Sequence, residues 1–401
     1  MVRQTASAIA VALLLVAGAV PASAVAASGE SHAYAGAHVT FDVQGSAVTD
    51  YAVDGETIVE RIGVQSASQA SSSGSGVLGA DGGLDLSATA NVDLSGLTLG
   101  ATTAASATVE AESGATLTAH DENNGVLVVE SGDESQVVVA TLSADAEAAA
   151  DGDRRVEVTT ASGTEATFLA VGNASVTVND DGNVSGQVGA NGTIVLRAYP
   201  DGKSAADDRT EELIASGRAA GEVYAGAAAD ASAEASASVV TYANETAITA
   251  EQSAENTVNV TVERADETGK VLVATVSEAA VGSTEDLDVA VSGGAAAEVS
   301  SYGELEAALG GDESAYMVTR EASGNATVYV AFDHFSARTA SISGADGGDQ
   351  QSSTETTTET SSTTESSGSG GATTSGGSPG FGVVTLAGAL TALAAFLARR
   401  D

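Results

Sequence analysis

The chain has 401 residues, enough for two or three domains, with 55 acidic against 14 basic residues and a formal net charge of -41. Cysteine and tryptophan are absent, which excludes disulfides, thiol nucleophiles and cysteine-ligated metal. The scarcity of Lys and Arg excludes nucleic acid as a partner, because phosphates need cations. Disorder would require few apolar residues, yet 43% of the chain is hydrophobic. The composition therefore describes a folded protein with a carboxylate-covered surface. Such a surface stays hydrated at high salt, where screening removes the self-repulsion felt in dilute buffer. A halophilic source is the resulting expectation.

The N-terminus carries Arg3, then an uncharged run whose most apolar part is Ile9 to Val20, then Pro21 and Ala22-Ser23-Ala24. A charged start, an apolar stretch too short for a comfortable span and a small-x-small exit define a signal peptide, residues 1–24, cleaved at Ala22 and Ala24. No Arg-Arg pair supports a twin-arginine route.

From about Ser28 to Ser343 the hydrophobic period is two. Val39, Phe41 and Val43 alternate with polar residues, as do Leu84 to Leu94, then Val258, Val260 and Val262, and Val328, Val330 and Phe332. That is one buried and one wet face of a strand. Gly125 to Val129 and Val137 to Ala140 are continuous apolar runs, which reads as central strands. Turn signals separate the strands at Asp54-Gly55, Asp81-Gly82-Gly83, Asn124-Gly125, Asp151-Gly152, Asp181-Gly182-Asn183, Asn191-Gly192 and Gly293-Gly294. Helix is expected in two short pieces. One is Asp207 to Ser216, and the other opens with a capping box at Ser301 and Glu304 and stops at Gly310. The run Ala225 to Ser238 shifts to small residues with acidic punctuation. It divides the body into a β domain over 28–224 and a second, Ig-like in size, over 238–344. The fold class is therefore all-β: two antiparallel β-sandwich-like domains with one or two short helices.

Asn-x-Ser/Thr acceptor motifs start at Asn173, Asn183, Asn191, Asn244, Asn259 and Asn325. In an exported chain these are usable N-glycosylation sites. Asn183 and Asn191 sit beside turn signals, the favourable setting. Motifs for catalysis match in letters and fail in context. Gly74 to Gly79 fits G-x-G-x-x-G but follows a serine run instead of a strand. Gly376 to Gly380 fits G-x-S-x-G but lies in a Ser/Thr/Gly tract where no nucleophile elbow forms. Four histidines, His32, His38, His120 and His334, leave numerical room for a Ser-His-Asp triad. None sits in a recognisable nucleophile or base context. Asp180-Asp181-Gly182-Asn183 offers oxygens for Ca²⁺ without the full twelve-residue loop, and a solvated turn is the default. No catalytic residue, metal site or cofactor is expected, beyond weak binding of Mg²⁺, Ca²⁺ or K⁺ by the acidic surface.

The C-terminus has three parts. Ala345 to Ser378 is Ser/Thr/Gly-rich with scattered acids, a composition that stays disordered and forms a stalk with a reach of roughly 30 Å. Pro379-Gly380-Phe381 comes next, then an uncharged run from Gly382 to Ala398 and the pair Arg399-Arg400. A run of that length can just span a bilayer, and the arginine pair would stay in the cytoplasm, leaving the body outside. This tail, residues 379–401, resembles the PGF-CTERM sorting signal of haloarchaeal surface proteins, S-layer glycoproteins among them. The resemblance covers about the last fifty residues. It implies recognition of Pro379, Gly380 and Phe381 by an archaeosortase, removal of the transmembrane helix and attachment of a lipid. A tail kept as a membrane helix is the alternative. The chain is much shorter than an S-layer glycoprotein, so the lattice subunit itself is not implied.

The sequence therefore predicts a non-enzymatic, exported, C-terminally anchored protein of the cell surface. Its expected partners are the archaeosortase, the membrane and S-layer or other envelope proteins, and not nucleic acid. The rival readings are an adhesion module that binds a ligand, cation or polymer, and a surface hydrolase.

Overall fold

The computed structural model describes residues 32–44, 47–73, 77–78, 84–85, 97–102, 105–226, 237–242, 246–254, 256–264, 268–320, 324–334 and 337–344. The residues expected to form the signal peptide, the stalk and the sorting tail, and Asn244, lie outside the described residues. The described body belongs to the compact unit that ends at Gly348.

The described residues form a β structure with four short helices. The first lobe runs β1 (His32–Ala35), β2 (Val39–Gln44), β3 (Ala47–Val53), β4 (Glu56–Ser66), α1 (Ala67–Ser73), β5 (Val77–Leu78), β6 (Leu84–Asp85), β7 (Leu97–Thr102), β8 (Ser106–Ala111), β9 (Thr116–His120), β10 (Leu127–Glu130), β11 (Gln136–Leu142), β12 (Glu147–Asp151), β13 (Arg155–Thr159), β14 (Glu165–Val178) and β15 (Val184–Tyr199). Helix α2 (Ala205–Ala215) leads into the second lobe: β16 (Ala219–Ala225), β17 (Ala237–Thr241), β18 (Thr246–Ala254), β19 (Thr257–Arg264), β20 (Val271–Val276), α3 (Glu278–Val281), β21 (Leu287–Val291), β22 (Gly294–Ala295), β23 (Ala297–Glu298), α4 (Tyr302–Ala308), β24 (Ala315–Arg320), β25 (Ala326–Ala331) and β26 (Ala337–Gly344).

Thirteen strands of the first lobe form one antiparallel sheet, in which β15 is the hub. It pairs with β14 along its length and meets β11 and β10 in turn on its other edge. The second lobe is a sandwich of a sheet ordered β17-β16-β20-β25-β24-β23 and a sheet ordered β18-β19-β26-β21-β22. Pairing is antiparallel except for β16 with β20 and β23 with β24, which run parallel.

Three apolar layers hold these sheets. One gathers Phe41, Tyr51, Ile58, Leu117, Phe168 and Leu196 inside the first lobe. Another fills the second-lobe sandwich with Val258, Val260, Val262, Leu272, Val330 and Ile342. The third lies between the lobes, where Val126, Val128, Leu169, Val171 and Val195 meet Leu213, Ile214, Val273 and Tyr329. The continuous apolar run ahead of and along β10 now has its reason. Leu127 and Val129 enter the first layer, while Val126 and Val128 enter the third. A strand buried on both faces loses the polar half of its alternation.

The third layer makes one compact unit of two lobes that the sequence divides. Its strand β16 pairs within the second lobe, so the passage between lobes falls at α2, ahead of residue 224. The Ala/Ser-rich run that suggested the boundary lies largely outside the described residues. A further departure concerns Asn191-Gly192. It does not end a strand, because β15 continues through it to Tyr199. Asn191 has φ 60° and forms part of a bulge. Asn and Gly tolerate the left-handed region that a bulge or a turn can require, so the two look alike in sequence. Asp54-Gly55 is the turn it promised to be, with φ 48° and 82°.

Helix α2 starts where Ser204 caps it. The Ser204 hydroxyl accepts from the Asp207 N–H at 3.2 Å, and Asp207 accepts from the Ser204 N–H at 2.9 Å. Asp207 and Asp208 in its first turn suit the helix dipole. It ends at Gly217, φ 68°, with the Arg218 N–H bonded to the Leu213 carbonyl at 2.8 Å. Helix α4 is capped by Ser301, as expected. Helices α1 and α3 have no strong sequence signal.

Candidate functional site

A buried polar cluster lies at the junction of the lobes, around α2. Alternation along β15 puts Arg197 and Tyr199 on the side facing the second lobe, opposite the face that carries Leu196 and Ala198. Arg197 is ion-paired with Glu222 of β16, and both side chains are 3% exposed. The Arg197 Nε donates to the Tyr199 hydroxyl at 3.1 Å, and Nη1 reaches the Tyr242 hydroxyl at 3.4 Å. The Tyr224 hydroxyl donates to the other oxygen of Glu222. The Tyr199 hydroxyl donates onward to Glu211 of α2 at 2.6 Å.

From Glu211 the network climbs to the surface. Lys203 lies 2.7 Å from Glu211 and 3.0 Å from Asp208. Arg155 lies 3.2 Å from Glu211, 3.3 Å from Asp208 and 2.5 Å from Glu157. Burial opposes the Arg197 charge, but Glu222 and the tyrosine oxygens around it hold the guanidinium well above its usual range. Burial first, then the negative charge of Glu222, pushes the Tyr242 hydroxyl well up. Tyr199 and Tyr224 are also raised, chiefly by burial. These buried ionic and hydroxyl contacts tie β15 to β16 and α2, so the chemistry of the network is that of a clamp.

Beside the clamp, an open groove of about 890 Å³ lies against α2. Its walls include Asp151, Arg154, Arg155, Arg209, Glu212 and Lys270. Four of the 14 basic residues line it, balanced by acids, in a chain that is acidic elsewhere. The Arg154 guanidinium is exposed and rests on carbonyl oxygens, at 3.0 Å from Gly172 and 3.4 Å from Ala170. Such a mixed wall offers donors and acceptors to a polar ligand.

The histidines are scattered. His32 opens β1, opposite Val43. His38 bonds Asp54 at 2.9 Å near the surface. His120 is buried, and burial lowers its pKa to about 4. His334 contacts Asp333, which also accepts from Ser314 at 2.8 Å and from Arg338 at 3.2 Å. Serine and histidine share the carboxylate and do not bond each other, so this is no proton relay. Burial works to raise the Asp333 pKa, but Ser314, His334 and Arg338 together hold it below the usual range.

Two acids that the sequence did not single out carry structure. Asp121 is buried and accepts from three backbone N–H groups, Ala37 at 2.6 Å, His38 at 2.9 Å and Val39 at 2.7 Å. It pins the turn between β1 and β2. Its neighbour Glu122 is half-buried, and burial, aided by Asp121 and Glu222 and opposed by Ser238 and His38, raises its pKa to about 7. Neither has a local motif, since both act across long sequence distances.

The Asp180-Asp181 turn is closed by Asn179. The Asn179 side-chain oxygen accepts from the Asp181 and Asn183 N–H groups at 3.1 and 2.9 Å. Among the described residues no group of three or more His, Asp or Glu is arranged to hold a metal.

The acceptor asparagines sit in different settings. Asn173 and Asn191 are exposed and share the bulge between β14 and β15. Asn183 is half-buried, and its side-chain oxygen accepts from Leu142 N–H at 3.0 Å. Asn259 lies mid-strand in β19, and Asn325 precedes β25.

No protein-family model matches the chain, and no curated protein matches it. Among solved structures it is similar to a mutant of a glycoside hydrolase family 81 enzyme from Clostridium thermocellum, at 9% identity and a TM-score of 0.32. That match covers 77% of this chain and 34% of the other, so the chain spans about a third of that protein's length. Among the described residues, no helix is long and apolar enough to cross a membrane.

Proposed function

We propose that the chain is a non-catalytic protein of the cell surface in a halophile. Residues 1–24 export it. An archaeosortase-type enzyme reads Pro379, Gly380 and Phe381, removes the tail and leaves a lipid anchor, and the acidic β body stands outside the membrane on its stalk. The observation that carries this reading is how the charges are sorted. Arg197 is spent on an internal pair, and Arg155, Lys203, Arg209 and Arg218 are each paired with carboxylates. Apart from Asp121 and the paired Glu211 and Glu222, the described acids are partly or fully exposed, which suits a rigid body held in concentrated salt. Envelope proteins, including an S-layer lattice, are its proposed neighbours.

Protease treatment of intact cells tests the reading, with immunodetection after fractionation. The body should be lost from intact cells and should travel with the membrane fraction in unshaved ones. Protection in intact cells alongside a cytosolic control would overturn it. The groove along α2 favours a second reading, a surface adhesion module whose ligand is a polar polymer. Titration with neutral and uronic polysaccharides tests it: Arg154→Ala should weaken binding, and an unchanged affinity would exclude the groove.

A further inference from the structure

The structure separates the acceptor motifs by whether both of their working groups are on the surface. Transfer to an Asn-x-Ser/Thr motif involves the asparagine amide and depends on the hydroxyl two residues on. In an extended strand residues two apart share a face, so the fold decides whether the pair is presented together. Ser185, partner of Asn183, is fully buried and accepts from the Asn179 side chain at 3.1 Å. Thr193, partner of Asn191, is 2% exposed, and Thr327, partner of Asn325, is 7% exposed. Thr261, partner of Asn259, shares a hydrogen bond with Thr339 at 2.9 Å. On β14, Asn173 is exposed and Ser175 is half-exposed. Leu169 and Val171, on the same side of that strand, lie under the second lobe. Asn173 is the residue at which this side emerges.

The local backbone fixes where the amide sits. Asn173 stands opposite a bulge, because the register passes from Gly172 with Gly192 to Ala174 with Val188. A Cβ on Gly189 would lie 2.3 Å from the Asn173 Nδ2, and one on Gly192 would lie 2.2 Å from the Asn173 carbonyl oxygen. The Asn173 amide thus packs against the backbone of Gly189, which only a glycine there allows, while the residue stays exposed. Gly172, its neighbour, lines the groove along α2.

We propose that Asn173 is the glycan acceptor of the described body, and that its glycan overhangs the groove mouth. The donor class is an oligosaccharide linked to a polyprenyl phosphate. The Asn173 amide nitrogen forms a bond to C1 of the first sugar, the bond from C1 to the phosphate oxygen breaks, the polyprenyl phosphate leaves and the amide gives up one proton. The inference deepens the surface reading, because it rests on export.

The test is glycopeptide mass spectrometry on the protein purified from its source, with surface exposure scored separately on intact cells. The Asn173 peptide should carry the sugar mass, and the Asn183, Asn191 and Asn325 peptides should not. Ser175→Ala should abolish that mass while the asparagine stays in place, and Ser175→Thr should keep it. An exposed protein with Asn173 bare, or with its sugar on Asn191 or Asn183, would overturn the assignment and leave the surface reading intact. A bare protein protected inside cells would overturn both.

Discussion

Replacing Glu222 by Gln tests whether the clamp between the lobes is structural. The substitution keeps the shape and removes the charge that faces Arg197. Both side chains are 3% exposed, so little water can enter to replace the lost partner. Breaking a buried pair on one side costs about 3–5 kcal/mol. The hydroxyls of Tyr199 and Tyr242 stay within 3.1 and 3.4 Å of the guanidinium, which places the cost near the lower figure, about 3 kcal/mol. Removing both charges with Arg197→Met and Glu222→Leu should cost much less, about 1 kcal/mol or below, since no charge is then stranded. The assay is denaturant unfolding at fixed high salt, monitored by circular dichroism. Because the pair is buried, the penalty should barely change between moderate and high salt. A Glu222→Gln penalty under about 1 kcal/mol would refute the reasoning, as would a double variant at least as unstable as the single one.

Individual groups give further expectations. Asp121→Asn replaces one of two acceptor oxygens that serve the N–H groups of Ala37, His38 and Val39; it should cost about 2–4 kcal/mol in the same unfolding assay, with hydrogen exchange rising in β1 and β2. The folded-state pKa of Glu122 is raised from 4.5 to about 7, so the folded chain binds the extra proton and stability falls as pH rises through that window. His120 is lowered from 6.5 to about 4, so the unfolded chain binds the extra proton and stability is lost as pH falls from 6.5 towards 4. The two slopes oppose each other in the native protein. Glu122→Gln should remove the Glu122 slope, leave that of His120 in place and gain about 1–2 kcal/mol above neutral pH; a pH series of thermal midpoints checks both points. The net charge of -41 should make the thermal midpoint climb between about 0.1 M and about 1 M salt, as the Debye length drops from ~10 Å to ~3 Å.

What the sequence revealed was local. Period-two patterning located β2 and β19, each with one wetter face, and also β25, whose expected wet face is instead buried with Thr327 and Tyr329; Ser301 and Glu304 marked α4 because a capping box is contained in four residues. The layer between the lobes stayed hidden, since Leu169, Ile214 and Tyr329 meet only in three dimensions. The same is true of Arg197 and Glu222, 25 residues apart, and of Asp121, which reaches back more than 80 residues to Val39. Asn183 and Asn191 looked favourable because Gly and Asp flank them. The burial of Ser185 and Thr193 depends on sheet packing that flanking residues do not encode. The proposed sorting motif and signal peptide are the reverse case, resting on linear patterns alone and lying outside the described residues.

The central claim is a processed, anchored surface protein, and the intact mass of the mature chain from its source membrane tests it most directly. The account predicts loss of the residues up to Ala24, loss of the tail beyond Pro379-Gly380-Phe381, and added mass from lipid and from sugar. A mass that retains Gly382 to Asp401 would contradict the sortase-processed anchor.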